Sequence, residues 1–192
     1  MVHKGTVRLE TQRLILRRFT EDDAQAMYDN WASDPEVSKY LTWPSHKSVD
    51  DTRKTLKAWI GSYDKPDYYH WAVELKSLCE PFGGISIVSI NEKTSSVHVG
   101  YCFGQKWWRK GYASEALNCV VNFFFEDVKA NRFEARHDTN NPASGKVMQN
   151  AGLFYEGTMR EADTNNQGIC DVSFYAMLAK DYFARNAKAP SL

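Results

Sequence analysis

With 192 residues, 43 % of them hydrophobic and 25 % charged, the chain is sized for one domain with its own core. Its 24 basic and 24 acidic side chains cancel, so no net field marks it as a binder of nucleic acid or of an acidic membrane. No apolar run is long enough to span a bilayer and residues 1–6 lack the apolar core of a signal peptide. The cysteines (Cys79, Cys102, Cys119 and Cys170) form no C-x-x-C pair, so the expected setting is the reducing cytoplasm.

Residues 13–19, around Leu14-Ile15-Leu16, read as a first strand. Thr20-Glu21-Asp22-Asp23 then supplies an N-cap and an acidic first turn for a helix that turns Ala24, Met27, Tyr28 and Trp31 inward. Asp34-Pro35 ends it, and a short helical piece over 36–40 leads into the aromatic loop Leu41-Thr42-Trp43-Pro44. Ser48 or Asp50 caps a second helix to about residue 62, with Leu56, Trp59 and Ile60 inward, and Asp64-Lys65-Pro66-Asp67 is a turn.

From Tyr68 the hydrophobic period falls to two. Strands over 69–75, 82–90 and 97–103 follow, joined by a turn and by the polar loop 91–95 as an antiparallel meander. A helix over about 112–128 and a strand over 133–137 complete a crossover, which makes the strands at its two ends parallel. Asn140-Asn141-Pro142-Ala143-Ser144 opens another helix that stops at Gly152, and strands over 153–160 and 170–178 flank the turn at 165–168. The expected fold is therefore mixed α/β, with one mostly antiparallel central sheet and flanking helices. The domain is placed at residues 1–184, and 185–192 are expected to be a disordered tail.

The stretch Gln105-Lys106-Trp107-Trp108-Arg109-Lys110-Gly111-Tyr112-Ala113-Ser114 joins the strand at 97–103 to the longest helix. A helix start offers unpaired backbone N–H groups and a partial positive charge, which suit an anionic phosphate. Gly111 lets backbone approach a ligand, and Lys106, Arg109 and Lys110 add charge. A basic, solvated helix start is the competing reading. No G-x-x-x-x-G-K-[ST], G-x-G-x-x-G or G-x-S-x-G motif occurs, which disfavours P-loop, dinucleotide and serine-hydrolase chemistry. His70, His98 and His137 fall on expected strands without ligand-like spacing, so no metal is expected.

Four segments together resemble the GNAT acyltransferase superfamily, and most closely its ribosomal-protein N-terminal acetyltransferase (RimJ/RimL-like) branch. They are Leu9-Glu10-Thr11-Gln12-Arg13-Leu14-Ile15-Leu16-Arg17, the stretch Trp107–Ala116, Asn141-Pro142-Ala143-Ser144, and Asn150-Ala151-Gly152-Leu153-Phe154-Tyr155-Glu156-Gly157. The superfamily's Q/R-x-x-G-x-G/A loop reads here Trp108-Arg109-Lys110-Gly111-Tyr112-Ala113, with Trp108 in place of Gln or Arg and Arg109 where the branch commonly has glycine. The resemblance implies a GNAT-like sheet with splayed strands and acetyl-CoA as acyl donor. Backbone N–H groups over Arg109, Lys110, Gly111, Tyr112, Ala113 and Ser114 would hold the pyrophosphate.

The resemblance also implies further roles. Asn141 would contact the pantetheine arm, and Ser144 would lie near the sulfur and protonate the departing thiolate. Helix N-capping is the other reading of both residues. The tyrosine that many members carry four residues later is Met148 here. Asp163, nineteen positions after Ser144, is the candidate base; Glu161, Glu156 and Asp171 stand behind it, and a solvated surface charge is the other reading. Backbone from Tyr101 to Phe103 would supply the oxyanion donor, and Tyr40, Trp43 and Trp59 would cover the acceptor. The implied activity is direct transfer of an acetyl group to a primary amine, on a protein N-terminus or a small molecule, by a monomer or homodimer. A non-catalytic coenzyme A-binding module is the alternative.

Overall fold

The computed structural model describes residues 1–187. Eight strands form one sheet: β1 (Leu9–Glu10), β2 (Leu14–Arg17), β3 (His70–Leu75), β4 (Pro81–Asn91), β5 (Ser96–Phe103), β6 (Arg132–Asp138), β7 (Phe154–Asn165) and β8 (Gly168–Leu178). They lie in the order β1-β2-β3-β4-β5-β6-β8-β7. Every neighbouring pair is antiparallel except β5 and β6, joined in parallel by the expected crossover.

Helices cover both faces. A turn at Glu21–Asp23, α1 (Ala24–Met27) and a widened turn at Tyr28–Ala32 follow one another, then α2 (Pro35–Ser38) and α3 (Val49–Ile60). Ser48 caps α3, its hydroxyl accepting the Asp51 N–H. On the other face α4 (Tyr112–Phe123) runs on as a widened turn to Val128, and α5 (Pro142–Asn150) lies beside it.

The alternation of the strands divides the core. Leu14, Leu16, Trp71, Val73, Val97, Val99, Phe133 and Ala135 pack under the stripe Ala116, Leu117, Val120, Val121 and Phe124 of the α4 face. Ala72, between Trp71 and Val73, points the other way and joins Phe19, Ala24, Met27, Trp31 and Leu56 beneath the N-terminal helices. Truncating a fully buried member of the first group, such as Leu117, to alanine costs roughly 2–5 kcal/mol. Arg17 forks onto Asp23 at 2.8 Å and holds Glu74 through Nε at 2.9 Å, tying β2 and β3 to the first helical turn.

Three features depart from the sequence reading. β1, with two residues, is too short to show a period. β7 runs five residues past the expected end at 160, because two bulges let it keep pairing with β8. Finally α6 (Ala179–Ala187) buries Tyr182, so the boundary expected at 184 falls inside a helix; residues 188–192 of the expected tail lie outside the described residues.

Candidate active site

The one parallel junction is also where the sheet opens. β5 and β6 pair from Ser96↔Arg132 only as far as Val99↔Ala135, yet β5 continues to Phe103 and β6 to Asp138. Their carboxyl ends therefore diverge into a wedge. The Gly104 N–H bonds to Phe82 O on β4, so by alternation Tyr101 and Phe103 turn their backbone groups into the wedge. One of these groups is already engaged: the Trp108 indole N–H donates to Phe103 O at 2.6 Å.

The basic stretch closes one end of the wedge. Gly111 is the N-cap residue of α4 at φ 80°, and the helix start has no side-chain cap. The first helical bond inside α4 is Glu115 N–H to Gly111 O, which leaves the N–H groups of Tyr112, Ala113 and Ser114 without helical partners. Arg109, where the related pattern has glycine, itself adopts φ 60° and so keeps the glycine-like backbone shape. Lys106, Arg109 and Lys110 are exposed around this turn. An uncapped, glycine-led helix start ringed by cations fits a diphosphate group.

At the mouth of the wedge the structure joins two residues that lie 43 positions apart. The Tyr101 hydroxyl is 3.0 Å from Ser144 O, to which it donates, and 2.9 Å from Ser144 Oγ. The sequence reading used only the backbone of Tyr101 and found Met148 where many members carry a tyrosine. A tyrosine hydroxyl does arrive at this place, from β5 rather than from α5, and burial pushes its phenol above the usual range. Asn141 accepts the Ser144 N–H at 3.4 Å as N-cap of α5, so capping is the contact it makes here. His137 donates from Nδ1 to Asp138 O at 2.7 Å, but its buried Nε2 has no partner among the described residues. That nitrogen lies against Gly145, where a Cβ would come within 2.5 Å of it.

On the face of the sheet opposite α4, a cavity of about 460 Å³ opens over the wedge. Gly100, Tyr101, Cys102 and Ser144 line it at the wedge, and Phe19, Tyr40, Trp43, Trp59 and His70 form an aromatic wall. His70 packs 4.0 Å from Trp59 and 5.2 Å from Phe19, centroid to centroid, and burial lowers its pKa to about 3. The opposite wall carries Arg136, Asp138, Asp163 and Asn165.

Asp163 reaches this wall because of a bulge. Met159 pairs with Val172 and Asp163 with Cys170, so β7 holds surplus residues, among them Glu161 at φ 50° with its N–H on Asp171 Oδ1. Asp163 Oδ2 meets Arg136 at 2.9 Å, and Oδ1 accepts the Thr164 N–H at 2.8 Å. Glu156 is bound to Arg132, and neither it nor Asp171 nor Glu161 lines the cavity. His98, given no role from sequence beyond its place on an expected strand, does line it, with Glu134 behind at 3.7 Å. His98 and Arg132 together hold the Glu134 carboxyl down to about 2. The hairpin tip closes over the top: Asn166 donates from its backbone N–H to Leu41 O at 3.1 Å and from Nδ2 to Ser38 O and Trp43 O at 2.8 Å. Among the described residues no cluster of His, Cys, Asp and Glu could hold a metal, and no helix is long and apolar enough to cross a membrane.

A model of the acetyltransferase (GNAT) domain family matches residues 13–153. The chain is 28 % identical over 170 residues to the uncharacterized N-acetyltransferase YoaA of Bacillus subtilis, covering 88 % of this chain and 96 % of that protein. It is 27 % identical over 143 residues to the ribosomal-protein-serine acetyltransferase of Escherichia coli, covering 74 % of this chain and 79 % of that protein. Among solved structures, a GNAT-family acetyltransferase from Bacillus anthracis matches with TM-score 0.80 at 25 % identity, over 91 % of this chain and 99 % of that one. RimL, the ribosomal L7/L12 alpha-N-protein acetyltransferase in complex with coenzyme A, matches with TM-score 0.80 at 21 % identity, over 90 % of this chain and 98 % of that one.

Proposed function

The chain belongs to the GNAT acetyltransferase family, and on that premise we propose that it moves an acetyl group from acetyl-CoA to a primary amine by direct transfer, with donor and acceptor bound together. The observation that carries this reading is the uncapped start of α4 at Gly111, placed at the end of a wedge whose other end holds Tyr101 and Ser144. Acetyl-CoA, when bound, supplies an acyl carbon already activated as a thioester. The residues of the chain do the rest.

The N–H groups of Tyr112, Ala113 and Ser114, with Gly111 and the cations Arg109 and Lys110, hold the diphosphate. The backbone of Tyr101 and the N–H of Phe103, unpaired by any strand on the wedge side, take the pantetheine arm and the acyl oxygen. Asn141 orients the same arm from the start of α5. Ser144 Oγ holds the proton that the leaving sulfur needs, and Tyr101, in contact with both Ser144 O and Oγ, keeps that hydroxyl in place.

An amine attacks only when neutral, so a base is needed on the acceptor side. Asp163 takes that role through water, held in the cavity wall by Arg136. A second reading has its own support: both Asp163 oxygens already have protein partners, whereas His98 faces the same cavity with a carboxylate behind it. Tyr40 and Trp43 flank the acceptor, which is a protein N-terminus or a small amine. The related ribosomal-protein acetyltransferases support the first of these.

Acetyl-CoA turnover against a panel of amines and N-terminal peptides tests the proposal. Release of free thiol that depends on the amine is expected. Tight coenzyme A binding with no turnover on any amine would instead make the protein a binding module.

A further inference from the structure

The segment Leu9-Glu10-Thr11-Gln12-Arg13 has no task in the mechanism above, yet the structure ties it to the start of α4. From the turn between β1 and β2, Arg13 Nε donates to Glu115 Oε2 at 2.6 Å and the Arg13 N–H to Oε1 at 3.1 Å. Thr11 Oγ1 donates to the same Oε1 at 2.5 Å. Arg13 Nη1 donates to Lys110 O at 3.1 Å, and its guanidinium carbon lies 4.5 Å from the centroid of the Tyr112 ring. Its Nη2 lies 3.4 Å from where a Cβ on Gly111 would sit. One side chain therefore touches, or closely approaches, Lys110, Gly111, Tyr112 and Glu115.

We infer that Arg13, locked by Glu115 and Thr11, is a positioning residue that sets the shape of the Arg109–Ser114 turn for the diphosphate of coenzyme A. The inference rests on the reading of that turn given above. A trans peptide points its C=O and N–H in opposite directions, so fixing Lys110 O on the Arg13 side turns the Gly111 N–H to the other side. Arg109 and Gly111, on either side of Lys110, both have positive φ, a shape an arginine keeps only when its surroundings impose it. Pairing with Arg13 also cancels the charge of Glu115, which would otherwise repel an anion from the first turn of the helix.

The test uses the full chain and three readouts: coenzyme A affinity by calorimetry, the thermal midpoint, and KM for acetyl-CoA against kcat. Arg13→Ala is expected to weaken coenzyme A binding about tenfold to a hundredfold and raise KM in step, with kcat at saturation within about twofold. Arg13→Lys should fall close to Arg13→Ala, because an ammonium cannot reproduce the fork onto Glu115 and the Lys110 carbonyl. Unchanged affinity in Arg13→Ala, with only a lower thermal midpoint, overturns the inference. If that variant does not fold, Glu115→Gln carries the test: severalfold weaker binding supports the inference and unchanged binding overturns it. Gly111→Val, run in parallel, separates the two levels. If it binds coenzyme A normally, the placement of the turn itself fails; if it binds weakly while the Arg13 variants bind normally, only the role of Arg13 fails.

Discussion

The two sides of the wedge are built from different materials. On the α4 side the groups on offer are backbone N–H groups, shaped by Gly111 and by the left-handed Arg109. On the opposite side they are side chains: an aromatic wall around His70 and a charged wall around Asp163 and Arg136. On the proposed reading, backbone groups meet what every acyl-CoA donor shares, while side chains can be exchanged without disturbing the sheet. The first side should tolerate little change and the second should set which amine is used.

The sharpest way to break that contrast is Gly111→Val. At φ 80° a β-branched residue is strained, so coenzyme A affinity should fall about a hundredfold or more, read by calorimetry, without a change in which amines are preferred. Asp163→Asn, on the other side, should do the reverse. Turnover is expected to drop by about two orders of magnitude, with coenzyme A affinity held within about twofold. A drop of less than about threefold would pass the role of base to His98, and His98→Gln should then show the larger loss.

Ser144→Ala bridges the two sides, because its hydroxyl meets Tyr101 at the mouth of the wedge. It should lower kcat about tenfold while leaving coenzyme A affinity within about threefold, and Tyr101→Phe should give a loss of similar size. Equal losses of kcat and affinity in Ser144→Ala would make the serine a helix cap.

The smallest effect concerns the aromatic wall. Burial holds His70 neutral, with its pKa lowered to about 3, whereas an unfolded histidine titrates near 6.5. Below about pH 6.5 the unfolded chain therefore takes up a proton that the folded chain refuses. The stabilising contribution is complete above that pH and is lost as the pH falls toward 3. By about pH 5.5 the loss should reach about 1.4 kcal/mol, and His70→Phe should remove this part of the slope in denaturant unfolding.

The contrast also explains what could be read from the chain before folding. The shape of the α4 start was legible because a helix start, a glycine and three nearby cations are contiguous, and their demands on backbone are local. So was the parallel junction, since a strand, a helix and a strand in succession leave little choice of topology. The cavity side was less legible. Asp163 was named from resemblance, but its place in the wall depends on surplus residues in β7 that carry no turn signature. The Tyr101–Ser144 contact joins residues that no period connects, and His98 looks like any histidine on a strand until the cavity over it is seen. Arg13 and Glu115 meet across 102 positions, and nothing in either neighbourhood announces the other.

The Asn166 clasp has a consequence for motion. It ties the last hairpin to carbonyls of residues 38–43, more than a hundred positions earlier in the chain, through one amide side chain and one backbone N–H. Three bonds from one residue are expected to couple the opening of these distant pieces. Amide exchange at the hairpin tip and in the 38–43 loop should share a single opening free energy, and Asn166→Ala should uncouple them.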